Sequence, residues 1–406
     1  MFAFVLLLDA AVLVVSMFQK WRVLNLISFI GTVIIFASWY LPFYSPDKFL
    51  VTMMWLTSFF VVYSFSTVAH NLLQSEPSTG SEQLLTLFAA AAYFGQSYVM
   101  FMPVYENIIG FFSLALAVYY FIFAYGTRHI IPKDDSLYSF LAVLSVGFIT
   151  LAIPLQFDRQ IITIGWSVEL ALLILLAVKI KKDALYVLSV AVAVLVAARL
   201  LFFETAMPLS DPLLIFNKRF FVFAFSAAAF YVGGALCARA RSAASESDRR
   251  APWTKFLAGL LLAANIFTLV AGSQEIIDYY NHKQNVAYRQ IQEIQSVDYD
   301  SSWDSPQRQI AMEKVNALRN QSSIALSLFW LVYAIVVIAI GFVGQYKMVR
   351  LGGISLLLIA VSKLFFYDLW SLGTLYRIIS ALSLGVVLLA ISFSYQKYKH
   401  MLKKLI

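Results

Sequence analysis

Residues 322–345 read SSIALSLFWLVYAIVVIAIGFVGQ, twenty-four positions without a single charge. A helix rises about 1.5 Å per residue, so such a stretch outruns the roughly 30 Å of a bilayer's hydrocarbon core. Outward from it in both directions, segments of the same kind follow one another from Phe2 to Tyr398. They fall at 2–18, 23–44, 49–73, 83–105, 108–128, 137–157, 160–180, 183–203, 219–240, 254–273, 322–345, 350–367 and 374–396. The fold class that follows is all-α, a polytopic integral membrane helix bundle of about thirteen transmembrane helices.

Composition agrees. Hydrophobic residues make up 61% of the 406 positions and charged residues 13%, against about 25% charged in a soluble domain. The 35 Phe, 22 Tyr and 8 Trp suit helices packed in lipid, with rings at the interfaces. The net charge of +8 comes from residues at span ends. It therefore points to membrane lipids as partners and not to nucleic acid. The single cysteine, Cys237, allows no intramolecular disulfide and reads as a small apolar filler. His70, His129, His282 and His400 are scattered, so no metal or cofactor is expected. No phosphate-binding glycine loop, HExxH or GxSxG motif is present.

Basic residues set the orientation. Alternate connections carry Lys20 and Arg22, Arg128 and Lys133, then Lys179, Lys181 and Lys182. The same set continues with Arg239, Arg241, Arg249, Arg250 and Lys255, then Lys347 and Arg350. The opposite short loops hold only Lys48, Arg159, Lys218, Arg219 and Arg377. The N-terminus is thus expected outside and the C-terminus inside. QSEPSTGSEQ (74–83) fits poorly, being on the cytoplasmic side without a basic residue. The first segment has its positive flank after it, a start expected of the later part of a longer chain.

Three segments of organisation follow: 1–272 with ten spans, 273–321 outside the membrane, and 322–406 with three spans and a basic tail. In 273–321, apolar residues recur at helical spacing, and Ser305-Pro306 reads as a cap and first helical residue. The expectation is an extracytoplasmic helical hairpin made by outward extensions of two spans. No internal repeat is clear enough to claim.

A charge at mid-membrane costs about 2.5–3.5 kcal/mol on insertion scales, which singles out Asp9, Glu169, Arg199, Lys363, Asp368 and Arg377. Counted from Gln160, Glu169 lies about 14 Å into its span. Arg199, Lys363, Asp368 and Arg377 fall toward the outer side on this topology, with Gln96, Ser97, Asn217 and Arg219. The candidate substrate site is an outward-facing polar recess with Glu169 near its floor and Arg199, Lys363 and Arg377 on its wall, suited to an anionic group. The plain alternative is buried ion pairs and snorkelling side chains. Lys363 and Asp368 are five apart and do not share an α-helical face, so Asp368 is expected to pair with Arg377 instead. Asp9 is read as a partner for a segment outside this chain.

The last eighty or so residues resemble the end of a bacterial family of predicted membrane proteins, domain of unknown function 2339. Ser327 with Trp330, Arg350, Lys363, Asp368, Arg377-Ile378 with Ser380, and Tyr395 carry the likeness. LLLDAAVLVVSMFQKWRVLNLISFIGTVIIFASWY at the start and the segment of Trp166 and Glu169 also fit. The resemblance implies a multi-pass protein of the bacterial inner membrane. Family members are usually longer at the N-terminus, which implies a separate membrane or envelope protein as partner. The functional reading is a transporter or flippase-like protein for an anionic lipid or cell-envelope precursor. The alternatives are a lipid-carrier-dependent envelope transferase and a non-catalytic scaffold.

Overall fold

The computed structural model describes residues 1–18, 22–74, 78–130, 134–206, 217–242, 252–297, 306–344 and 347–368. Every regular element among them is helical: α1 Phe2–Phe18, α2 Arg22–Phe43, α3 Phe49–Gln74, α4 Gly80–Phe101, α5 Ile109–Ile130, α6 Asp135–Gln156, α7 Arg159–Ile180, α8 Asp183–Arg199, α9 Lys218–Ser242, α10 Pro252–Val297, α11 Pro306–Val343 and α12 Lys347–Lys363. Eleven spans among the described residues are long and apolar enough to cross a membrane, and α1 is a shorter apolar helix. The chain is a multi-pass helical membrane protein. The segment expected at 374–396 lies outside the described residues, as does Ser305.

Helix ends follow local chemistry. The fourth span begins before the expected 83 because Thr79 caps it. Thr79 N–H donates to the Glu82 carboxylate at 2.9 Å, half of a capping box. Asp134 caps α6 by accepting from Leu137 N–H at 3.0 Å, and it also accepts from Ser78 N–H at 2.6 Å. The tenth and eleventh helices are the two long ones the sequence suggests, with 46 and 38 residues. Only about 20 residues are needed to span, so each has turns to spare. Ala287 on α10 and Val315 on α11 are buried together in that extra length, with Ala311 packed against them.

The chain forms two compact units, Met1–Glu169 with Ile180–Val192, and Leu170–Lys179 with Ala193–Ile406. Rings fill the first. Phe60 stacks on Tyr93 at 4.3 Å and Tyr120 on Phe148 at 5.7 Å. Such pairs add about 0.5–1.5 kcal/mol to their burial. Small residues close the second. Gly233 faces Ile174 and Leu260, Gly234 faces Leu261 and Leu257, and Cys237 is buried on the same helix. A Cβ on Gly353 would stand 3.1 Å from the backbone nitrogen of Ile338, so α12 lies directly on α11. Its neighbour Gly352 faces open space.

Candidate functional site

The last turn of α12 changes pitch. Leu364–Asp368 is a π-helical turn, which bonds each residue to the fifth along and brings positions five apart onto one side. Lys363 and Asp368 therefore meet, with Nζ 3.1 Å from Oδ1 and 3.3 Å from Oδ2. This corrects the expectation, drawn from α-helical geometry, that the two would not pair. The expected alternative partner, Arg377, lies outside the described residues.

Two serines one turn apart on α11 complete the arrangement. Lys363 Nζ donates to Ser327 Oγ at 2.7 Å, Ser323 O at 3.0 Å and Ser323 Oγ at 3.1 Å. Ser323 Oγ donates to Asp368 Oδ1 at 2.6 Å, and Ser327 Oγ donates to Oδ2. Asp368 is 2% exposed and the Lys363 side chain 21%. The carboxylate is thus shut in while part of the ammonium arm stays accessible. Lys363 also stands over the Tyr367 ring at 5.8 Å. On the following turns of α11, Trp330 Nε1 donates to Ser273 Oγ at 2.9 Å and Tyr333 OH to Asn265 Oδ1 at 3.1 Å, both on α10.

The second unit holds another group of charges. Asn217 Oδ1 accepts from Phe220 N–H at 2.8 Å at the start of α9, and its Nδ2 donates to Glu275 at 2.6 Å. Arg219 is ion-paired with Asp278 and lies within electrostatic reach of Glu275 and Glu204. Glu204, Arg219, Glu275 and Asn217 are all buried. Arg199 closes α8 and lies over the Phe203 ring at 5.7 Å. Glu169 belongs to the first unit. Its Oε1 accepts from Thr150 Oγ1 at 2.6 Å, and its Oε2 is buried with no hydrogen-bond partner among the described residues. Trp166 Nε1 donates to Thr150 O at 2.9 Å and holds the same turn of α6.

A family profile described as Predicted membrane protein (DUF2339) matches residues 1–290 and 184–398. The chain belongs to that family. The likeness read from its last eighty residues therefore extends over nearly its whole length. No curated protein and no solved structure matches the chain.

Of the residues singled out on sequence, the DUF2339 fold brings Lys363 and Asp368 into one site. Glu169 has Thr150 as its partner within its own unit, and Arg199 lies against Phe203 in the other. Asp9, read as awaiting an outside partner, is held within the first unit. It accepts from Ser28 Oγ at 2.6 Å and Thr32 Oγ1 at 2.7 Å, with Tyr63 OH 3.0 Å from Thr32. A cavity of about 100 Å³ opens beside this group, lined by Thr32, Tyr63, Tyr93 and Gln96 among phenylalanines. Ser323, Glu204 and Glu275 are not marked out by the sequence, and Ser327 is marked only by the family likeness. A serine is unremarkable in an apolar helix until its partner is known, and both glutamates sit toward span ends where charges are common. Among the described residues no three His, Cys, Asp or Glu side chains gather as metal ligands.

Proposed function

We propose that this DUF2339 chain is a transporter or flippase-like protein for an anionic lipid or cell-envelope precursor, with Lys363 as its anion-binding cation. The observation behind the reading is the Lys363–Asp368 pair. An ammonium within a span needs an anion beside it, because an uncompensated charge there is costly. Asp368 fills that place, clamped by two serine hydroxyls. A resident counter-ion of this kind keeps the cation charged between visits of a ligand. A phosphate or carboxylate arriving at the accessible side of Lys363 would take over the donors now shared with Asp368. The bacterial inner membrane, with the N-terminus outside, is the setting this reading assumes.

One observation favours a scaffold instead. Lys363 has a serine or carboxylate oxygen for each of its three N–H groups, so the pair could serve only to lock α12 to α11. The two readings part in a titration of the purified full chain, in detergent, with dihexanoyl phosphatidic acid. The transport reading expects saturable binding that Lys363→Gln weakens about tenfold or more, a charge-assisted bond being worth about 1.5–3 kcal/mol. Binding equal in the folded variant and the wild type would remove Lys363 from the site. Dihexanoyl phosphatidylcholine, which carries no net charge, is expected to bind weakly to both.

A further inference from the structure

The turn that pairs Lys363 with Asp368 has a counterpart 164 residues earlier. Laid on 323–368 without a gap, residues 159–204 put Trp166 on Trp330, Ile174 on Ile338, Leu200 on Leu364 and Phe202 on Phe366. Conservative matches fall where the chemistry is: Thr163 on Ser327, Arg199 on Lys363, Phe203 on Tyr367 and Glu204 on Asp368. These matches outline an internal repeat that the sequence read alone does not make clear enough to claim.

The structure keeps the same register. The helices α8 and α12 are both 17 residues long, and each runs into a five-residue π-turn, Leu200–Glu204 and Leu364–Asp368. π-turns are rare and concentrate at functional sites, so two at matching positions are not a generic property of apolar helices. The basic residue before each turn lies over the ring four residues on, at 5.7 Å for Arg199 and 5.8 Å for Lys363. Both tryptophans donate to the helix that precedes their own, Trp166 to α6 and Trp330 to α10. Thr163 and Ser327 are fully buried, as is Glu204, with Asp368 at 2%. Three helices, α8 to α10, lie between α7 and α11, so on the topology read from the basic loops both copies enter the membrane from the same side.

We propose that Arg199 and Glu204 form a second anion station equivalent to Lys363 and Asp368, so that one chain holds two ligands bearing a phosphate or carboxylate. This rests on the anion-binding role proposed for Lys363. The earlier station offers a guanidinium in place of an ammonium, with a planar fork suited to two oxygens of one phosphate. Arg219, within reach of Glu204, supplies a second guanidinium there. In the sequence, Arg377 likewise opens the apolar segment that follows the later station.

Native mass spectrometry of the full chain with dihexanoyl phosphatidic acid tests this by stoichiometry. The expected result is two bound lipids for the wild type, one for Arg199→Gln, one for Lys363→Gln, none for the double variant and two for Arg199→Lys. A photoreactive phosphatidic acid on the wild-type chain serves as the second readout, independent of any variant's folding, and is expected to label both 199–206 and 363–368. One bound lipid, lost with Lys363→Gln and kept with Arg199→Gln, or label confined to 363–368, overturns the second station and leaves the first standing. No bound lipid on the wild type overturns both. Inorganic phosphate that displaces both labels supports two stations for the free anion, and failure to displace either supports two stations for a lipid headgroup. Displacement from one alone overturns their equivalence.

Discussion

Asp9 and Asp368 are equally buried, each 2% exposed, and are held in opposite ways. Asp9 in the first unit rests on two hydroxyls, and among the described residues no cation pairs with it. Asp368 in the second unit has the same two-hydroxyl cradle, from Ser323 and Ser327, with the Lys363 ammonium added. Hydroxyls satisfy the lone pairs of a carboxyl group without fixing its charge. An ammonium does fix it, because a charge stripped of its partner inside a low-dielectric bundle has nowhere to be solvated. Asp9 should therefore tolerate loss of charge, while Asp368 and Lys363 should tolerate loss only of each other together.

The largest effect that can break this contrast belongs to Lys363→Met. It removes the ammonium that the buried Asp368 carboxylate accepts from and should cost about 3–5 kcal/mol, seen as a large drop in the thermal unfolding temperature in detergent. The double variant Lys363→Met with Asp368→Leu is expected to recover most of that loss. If it does not, the pair is more than a charge balance. Next comes Gly353→Ala. The added Cβ meets Ile338 N at 3.1 Å and Ile338 Cγ1 at 2.7 Å, lifting α12 from the helix that carries both serines. A loss of about 1–3 kcal/mol, typical of overpacking, is expected in the same unfolding assay. Asp9→Asn should cost about 1 kcal/mol, since an amide still accepts from one hydroxyl and donates to the other. A loss as large as that of Lys363→Met would show that Asp9 depends on its charge after all. The smallest effect is Gly31→Ala, next to Thr32 in the Asp9 cradle. Its Cβ would meet nothing within 4 Å, and alanine is the better helix former, so the unfolding temperature should hold or rise slightly.

The spans are legible in the sequence because their signal is redundant. Segment 2–18 matches α1 residue for residue, and 108–128 differs from α5 by only a residue or two at its ends. Twenty apolar residues in a row admit one physical solution in lipid, so no single position has to be read correctly. The site depends on single positions and is less legible. An α-helical wheel sets Lys363 and Asp368 on different faces, and one π-turn brings them onto the same one. The signal for it lies in the repeated spacing of Arg199 to Glu204 and Lys363 to Asp368, each five residues, with each basic residue 33 positions beyond a tryptophan. Identical spacing in two segments marks a local geometry that one segment alone does not reveal. The partners of Glu169 and Asp9 are hidden for another reason. Thr150, Ser28 and Thr32 belong to a residue class that apolar helices carry at many places, and only packing selects among them.

The role of Asp368 as a displaceable counter-ion can be measured most directly with Asp368→Asn, which keeps a side-chain oxygen beside Ser323 and Ser327 while removing the anion that competes for Lys363. Titrated with dihexanoyl phosphatidic acid beside the wild type, this variant should bind about tenfold more tightly, in keeping with the loss of one charge-assisted bond that the ligand must otherwise replace. Binding unchanged or weakened in the folded variant would contradict that role and leave the pair as a clamp between α11 and α12.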